Sequence, residues 1–428
     1  MLSDASVAQM STTAKAPFHV MTKPIGPICN LDCKYCFYLE KEALYTDGKW
    51  RMAPDVLENY IRQYIEAQPT PHVSFAWQGG EPTLLGVEFF RKVVQLQKQY
   101  ANGKTIENAF QTNATLLDGE WAQFLKENDF LVGVSIDGPK EIHDANRVDK
   151  KGNSTFDDVM RGIEFLQKGG VRFNTLTCLN RVTSKKPLEI YRFLKEIGSE
   201  FQQFIPIVER RPGQQAKKWG LDLAAPEEGA NHEEKLPVFG WSVLPEDFGD
   251  FYIRIFDKWI RKDVGTTFIQ MFETALSKWL GTPGGICVHA ETCGDALAVE
   301  HNGDLYSCDH FVYPQYKLGN LKDTPLVDLV SLPKQRQFGL NKRDTLPQYC
   351  LDCEVRFACN GGCPKDRFLH TPSGDPGLHY LCKGYRKFFN HIDVPMRAMA
   401  HLNRNRRPAS EVMELAISKK LPGYKPMK

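Results

Sequence analysis

The sequence predicts an α/β protein: a partial (β/α)6 TIM-type barrel, then a cysteine-rich domain, then a helical tail. Three observations predict it. Strand-like and helix-like stretches alternate in about six units between residues 18 and 208, the pattern of a parallel sheet with crossover helices. Three chemically loaded segments, Cys29 to Cys36, Gln78-Gly-Gly-Glu-Pro82 and Ser135-Ile-Asp-Gly-Pro139, each follow an expected strand, and such barrels carry their chemistry at the C-terminal strand ends. Beyond the alternating region, eight of the twelve cysteines fall between Cys287 and Cys382, which marks off a second domain.

Taken in order, residues 18–21 are a short apolar strand that runs into the cysteine loop. Residues 53–68 have helical spacing (Val56, Leu57, Tyr60, Ile61, Tyr64, Ile65), with Pro54 near the start, where its missing N–H is not needed. Strands follow at 73–77, 106–111, 130–136, 171–177 and 201–208, and helices at 87–100, 119–127, 155–167 and 186–197. The nearly unbroken apolar run at 130–136 is that of a strand covered on both faces. The barrel domain is set at 18–245, with residues 211–245 an irregular Gly- and Pro-rich excursion. Residues 246–285 read as a helical linker, 286–385 as the cysteine-rich domain and 386–428 as a helical basic tail. Arg397, Arg404, Arg406 and Arg407 lack interleaved aromatics, so the tail is expected to be a solvated helix face.

A net charge of +2 on 428 residues gives no electrostatic case for nucleic acid. No apolar run approaches the roughly 20 residues that span a bilayer. Residues 1–17 are polar and lack the apolar centre of a secretory signal, so they are expected to be a disordered lead-in and the protein cytoplasmic. In that setting a cysteine-rich chain of this size points to metal or cluster ligation, not to disulfides.

Cys29, Cys33 and Cys36 stand in a CxxxCxxC pattern on one short loop. Three thiolates can hold three irons of a cubane cluster and leave the fourth open to a small molecule; half of a zinc site is the competing possibility. Downstream, Cys287, Cys293, Cys308, Cys350, Cys353, Cys359, Cys363 and Cys382 supply two sets of four ligands. Their spacing does not divide them, and two structural zinc ions fit the count as well as two clusters do.

With these motifs the chain resembles the radical S-adenosylmethionine enzymes. Its CxxxCxxC loop matches their signature, and Gly79-Gly80-Glu81-Pro82 resembles the element that receives the methionine amino group. The later cysteines resemble the SPASM domain, and their spacing, with Cys308-Asp309 and Ser135-Ile-Asp-Gly-Pro139, is similar to the anaerobic sulfatase-maturating enzymes. The resemblance runs from about residue 17 to about residue 420. It implies S-adenosylmethionine and three [4Fe–4S] clusters, one on the first loop and two auxiliary. One auxiliary cluster would take Cys287, Cys293, Cys308 and Cys363, the other Cys350, Cys353, Cys359 and Cys382. Tyr35, Gly80, Ser135, Arg147 and, most loosely, Val208 would surround S-adenosylmethionine. Tyr38 and Gln78 would line the reacting residue of the substrate, and Asp309 would accept its proton. The implied substrate is a sulfatase polypeptide with a Cys/Ser-x-Pro-x-Arg motif, oxidised to Cα-formylglycine, with a flavodoxin or ferredoxin as electron donor.

Plainer roles compete with these. Asp309 could be an ordinary surface acid, Tyr35 and Tyr38 could pack the cysteine loop, and Arg147 could pair with a surface Asp. His289, His301 and His310 are expected in ordinary polar roles, and Cys178 as a buried apolar residue. Asn113-Ala-Thr115, a sequon by pattern, carries no meaning in a cytoplasmic protein. At the level of function, the alternatives are a SPASM-type maturase that crosslinks or epimerises a peptide, and a zinc-stapled binding protein.

Overall fold

The computed structural model describes residues 13–45, 48–228 and 238–427. Six strands run parallel and lie side by side in sequence order: β1 (His19–Lys23), β2 (His72–Trp77), β3 (Thr105–Thr112), β4 (Leu131–Ser135), β5 (Phe173–Leu179) and β6 (Phe201–Pro206). This is the open half-barrel that the alternation predicts. Its helices pack apolar stripes onto the sheet. In the helix Pro54–Ala67, Val56, Leu57, Tyr60, Ile61, Tyr64 and Ile65 are all buried, and the Tyr60 hydroxyl meets Thr22 Oγ1 of β1 at 2.7 Å. Asp118 caps the helix Gly119–Glu127 by accepting the Trp121 N–H at 3.0 Å.

An open barrel leaves two strand edges with unpaired backbone groups. Here both are covered by later parts of the chain. β7 (Phe268–Ile269) pairs with β6, and β8 (Ala296–Glu300) pairs in parallel with β1 along its whole length. β9 (Asp304–Tyr306) and β10 (Lys317–Asn320) continue from β8 as an antiparallel meander, so one sheet of ten strands spans both domains. No strand was expected in the cysteine-rich region. The consequence is functional, because β9 delivers Cys308 and Asp309 to the end of β1.

The stretches expected as linker and tail form one layer. Helices Pro245–Trp259 and Gln270–Leu280 pack on Cys382–Arg404 through Phe248, Tyr252, Phe272, Phe388 and Ile392, all buried. Gly249 and Gly384 let two of these backbones touch: a Cβ on Gly384 would lie 2.2 Å from the Pro245 carbonyl oxygen. The solvated tail helix is therefore corrected to a core helix. Only its basic face is exposed, with Arg397 paired to Asp393 at 2.9 Å. The excursion contains a helix at Gln214–Lys218, and Ala216, Leu221 and Ala225 pack with Tyr313 of the cysteine-rich domain. Its residues 229–237 lie outside the described residues, as do 1–12 of the expected lead-in; Ala14 N–H donates to the Ala67 carbonyl at 2.8 Å. Among the described residues no helix is long and apolar enough to cross a membrane.

Candidate active site

The loop bearing Cys29, Cys33 and Cys36 leaves the end of β1 and is held by three neighbouring strand ends. The turn after β2 lies against it so closely that a Cβ on Gly80 would fall 1.9 Å from the Ile28 carbonyl oxygen. The Gly80 and Glu81 amides donate to the carbonyls of Gly26 and Ile28 at 2.8 and 2.9 Å. Glu81, buried, accepts from Thr83 N–H, Thr83 Oγ1, Thr112 Oγ1 and the Asn113 amide at 2.7–3.0 Å, which locks the turn to the end of β3. Asn113 then donates to Asn30 Oδ1 at 2.8 Å and lies 3.8 Å from Cys29 Sγ, while Asn30 donates to Thr115 Oγ1 at 2.9 Å. The Asn113-Ala-Thr115 stretch, a sequon only by pattern, thus braces the cysteine loop.

A second group gathers at the ends of β4 and β5. Asp137, with no exposure, accepts the Tyr35 hydroxyl on one oxygen and the Cys178 amide, at 3.0 Å, on the other. Arg147 Nε lies 3.2 Å from Asp137 Oδ1, its guanidinium stands over the Tyr35 ring at 5.5 Å, and Nη2 donates to Cys178 Sγ at 3.6 Å. Arg147 is buried, so its partner is not a surface acid. Cys178 is half-buried and faces a cation and a carboxylate, not an apolar pocket. Ser135 ends β4 and Val208 follows β6; both are buried, and the Val208 carbonyl accepts from Lys365 Nζ at 3.0 Å.

The third group centres on Lys23, which no motif singles out. At the last position of β1, 1% exposed, its ammonium lies 2.5 Å from Asp309 Oδ1, donates to Gln78 Oε1 at 2.7 Å and stands 4.4 Å over the Tyr38 ring. One buried cation therefore touches the expected proton acceptor and both expected substrate-lining residues. Gln78 is braced by donating to Gln111 Oε1 at 2.8 Å, and Tyr38 by donating to buried Glu300 Oε1 at 2.6 Å. Asp309 keeps 20% of its side chain accessible. Burial works against its charge, but the Lys23 ammonium, with His310, outweighs burial and holds the carboxyl below its ordinary value.

The eight later cysteines fall into two neighbourhoods. Cys350, Cys353, Cys359 and Cys382 line one small pocket with Tyr349 and Arg386. Cys308 lies within electrostatic reach of Cys363 and Cys287, and Cys293 within reach of Cys287. His289 sits between Tyr385 and Phe389, its ring 3.4 Å from the Cys359 carbonyl, and burial lowers its pKa to about 3. His301 packs on Tyr45 and Trp50, and His310 stacks on Phe37.

The donor set suits iron–sulfur clusters, since three thiols share one loop and four more line one pocket. Burial pushes Cys29, Cys33, Cys359 and Cys363 up to about 12, so as bare side chains they would stay protonated at neutral pH. Only a bound cationic centre would hold them as thiolates. All twelve cysteines are free of disulfides.

Comparison with known proteins agrees. The radical SAM superfamily model matches residues 24–194, and the iron–sulfur cluster-binding SPASM model matches residues 287–354. A serine-type anaerobic sulfatase-maturating enzyme of Bacteroides thetaiotaomicron is 45% identical over 410 residues, covering 95% of this chain and 97% of its own. A cysteine-type enzyme of Clostridium perfringens is 34% identical over 380 residues, covering 88% and 96%. The solved structure of anSMEcpe with bound AdoMet and the Cp18Cys peptide superposes with a TM-score of 0.78 at 32% identity, covering 90% of this chain and 99% of that one. The ten-stranded sheet, the braced cysteine loop and these likenesses agree: the chain belongs to the anaerobic sulfatase-maturating enzymes, a family of radical SAM enzymes with a SPASM domain.

Proposed function

We propose that this protein oxidises one Cys or Ser of a sulfatase polypeptide, within a Cys/Ser-x-Pro-x-Arg motif, to Cα-formylglycine. The observation that carries the proposal is the Lys23–Asp309 pair, which sets a carboxylate beside Gln78 and Tyr38 and next in sequence to Cys308. Family membership sets aside a zinc-stapled binding protein.

Cys29, Cys33 and Cys36 would hold the first [4Fe–4S] cluster. Cys287, Cys293, Cys308 and Cys363 would hold one auxiliary cluster, and Cys350, Cys353, Cys359 and Cys382 the other. Tyr35, Gly80, Ser135, Arg147 and Val208 would surround S-adenosylmethionine, which when bound and reduced supplies the 5′-deoxyadenosyl radical that removes a hydrogen atom from a C–H bond. The protein's own residues do the rest. Gln78, held by hydrogen bonds to Lys23 and Gln111, and Tyr38, held by one to Glu300, fix the substrate side chain in a reactive placement. Asp309, kept ionised by Lys23, would accept the proton from the substrate's thiol or hydroxyl, and a cluster held by Cys308 and its partners would supply the acceptor for the remaining electron. Loss of one hydrogen atom, one proton and one electron turns the side chain into a thioaldehyde or an aldehyde. The thioaldehyde is then hydrolysed. A flavodoxin or ferredoxin would supply the first electron. Twelve unpaired cysteines suit the reducing cytoplasm.

The test is anaerobic incubation with S-adenosylmethionine, reductant and two peptides that differ only in Cys or Ser at the target position. An aldehyde seen by mass spectrometry on either peptide supports the proposal. Formation of 5′-deoxyadenosine with no aldehyde on either would overturn it in favour of another peptide maturase.

A further inference from the structure

Two basic side chains that none of the chemistry above uses lie at the later cysteines, Arg367 between the two groups and Lys342 against one of them. Lys342 is 1% exposed. Its ammonium donates to the carbonyls of Cys287 and Val288 at 2.5 and 2.9 Å, and to that of Ala290, so it gathers the loop that carries the first cysteine of one group. Arg367 is spread over four carbonyls. Nε donates to Gly361 at 2.8 Å, Nη1 to Lys342 at 2.6 Å, and Nη2 to Asn360 and Gly362 at 3.0 and 3.2 Å. Three of these carbonyls belong to the Asn-Gly-Gly segment joining Cys359 of one group to Cys363 of the other.

The backbone there is shaped for the guanidinium. Asn360, Gly361 and Gly362 all have positive φ, at 47°, 71° and 63°, a left-handed run that ordinary residues resist. A Cβ on Gly361 would lie 2.9 Å from Arg367 Nη2. Arg367 also lies within electrostatic reach of Cys363 and Cys293 on one side and of Cys350 and Cys359 on the other. Neither cation has a carboxylate within ion-pair distance among the described residues; the partners of both are backbone carbonyls. Two buried positive charges without paired acids are costly unless negative charge lies nearby.

We infer that Arg367 and Lys342 form a charge bridge between the two auxiliary cluster sites, positioning both sets of ligands and making the clusters there easier to reduce. The inference rests on the proposal that these eight thiols hold two clusters. A [4Fe–4S] centre with four thiolates gains one negative charge when it takes an electron, and nearby fixed cations favour that state. Arg367 and Lys342 are positioning residues and touch no substrate.

The experiment is a redox titration of anaerobically reconstituted protein, followed by electron paramagnetic resonance, on the wild type, Arg367→Met, Arg367→Lys and Lys342→Met. With full iron content, the Met variants are expected to shift the auxiliary midpoint potentials to more negative values. Arg367→Lys keeps the charge and is expected to stay near wild type, and the first cluster is expected to be unmoved in all four. Unchanged auxiliary potentials in both Met variants would overturn the inference, as would an equal shift in Arg367→Lys and Arg367→Met. Should Arg367→Met fail to retain iron, Lys342→Met decides by the same criterion. Wild-type protein with about twelve irons and as many sulfides but insensitive potentials refutes the bridge alone; protein without iron or sulfide refutes the cluster proposal beneath it.

Discussion

The two cysteine regions are built by opposite means. The first places Cys29, Cys33 and Cys36 on one loop and braces it with side chains: Asn30, Asn113, Thr115 and the four-bonded carboxylate of Glu81. The second draws cysteines from Cys287 to Cys382 and braces them through backbone carbonyls turned onto Lys342 and Arg367. The difference follows from the surroundings. Parallel strands present side chains at their ends, and these can reach the first loop. The later region has short helices and turns, and its unpaired carbonyls need donors. A site on a rigid sheet end is therefore expected to be largely formed without its cluster, and one assembled from turns to depend on it.

Iron removal tests this directly and carries the largest expected effect. Structural metal sites contribute on the order of 10 kcal/mol to local folding. Chelated protein is expected to lose amide-exchange protection over residues 345–380 while β2 to β4 keep theirs. Equal loss in both regions would erase the distinction. Next comes the seam where the regions meet, Lys23 of β1 against Asp309. Asp309→Asn keeps the shape and removes the base, with an expected fall in aldehyde formation of about 10²–10⁴-fold; turnover at the wild-type rate would remove Asp309 from the mechanism. Lys23→Met leaves that carboxylate without its cation and is expected to destabilise by about 3–5 kcal/mol, measured by denaturant unfolding under argon. A loss below about 1 kcal/mol would mean that the pair is solvated.

Smaller effects separate the braces of the first loop. Gly80→Ala forces a Cβ against the Ile28 carbonyl. It is expected to cost about 1–3 kcal/mol and to lower iron on the first loop while sparing the auxiliary sites; normal occupancy would show that the turn can move. Asn113→Ala removes one brace to Asn30 and is expected to cost about 1 kcal/mol. An unchanged melting temperature would show that Asn30 finds another partner.

Much of this was legible without coordinates, and the failures share a cause. The alternation of strands and helices and the cysteine loop follow from local pattern, since strand period and turn chemistry act over a few residues; Gly80 entered through the family resemblance, and its contact with Ile28 only through the fold. Lys23 carried no signal, because it is one basic residue after an apolar run, and its meaning lies 286 positions away in Asp309. Glu300, which holds Tyr38, is equally silent. Glu81 stood inside a quoted motif, yet its role as the staple between β2 and β3 needed the partners on both sides. The arginines of residues 386–428 suggest a solvated tail, although Phe388, Phe389, Ile392 and Met396 fall on one helical face and are buried; the apolar period, not the charge, decides where this helix packs.

By itself the sequence determined which residues could bind clusters, where the barrel's strand ends lie and which family the chain resembles. These depend on residue type and short-range periodicity, which any stretch of chain carries with it. Only the tertiary structure decided that β8 would close the edge of β1 and bring Asp309 to Lys23, and that the eight later cysteines would form two neighbourhoods about Arg367 and Lys342. Long-range pairing of this kind is chosen by the burial of whole faces and the satisfaction of whole edges, quantities that exist only once the chain has folded.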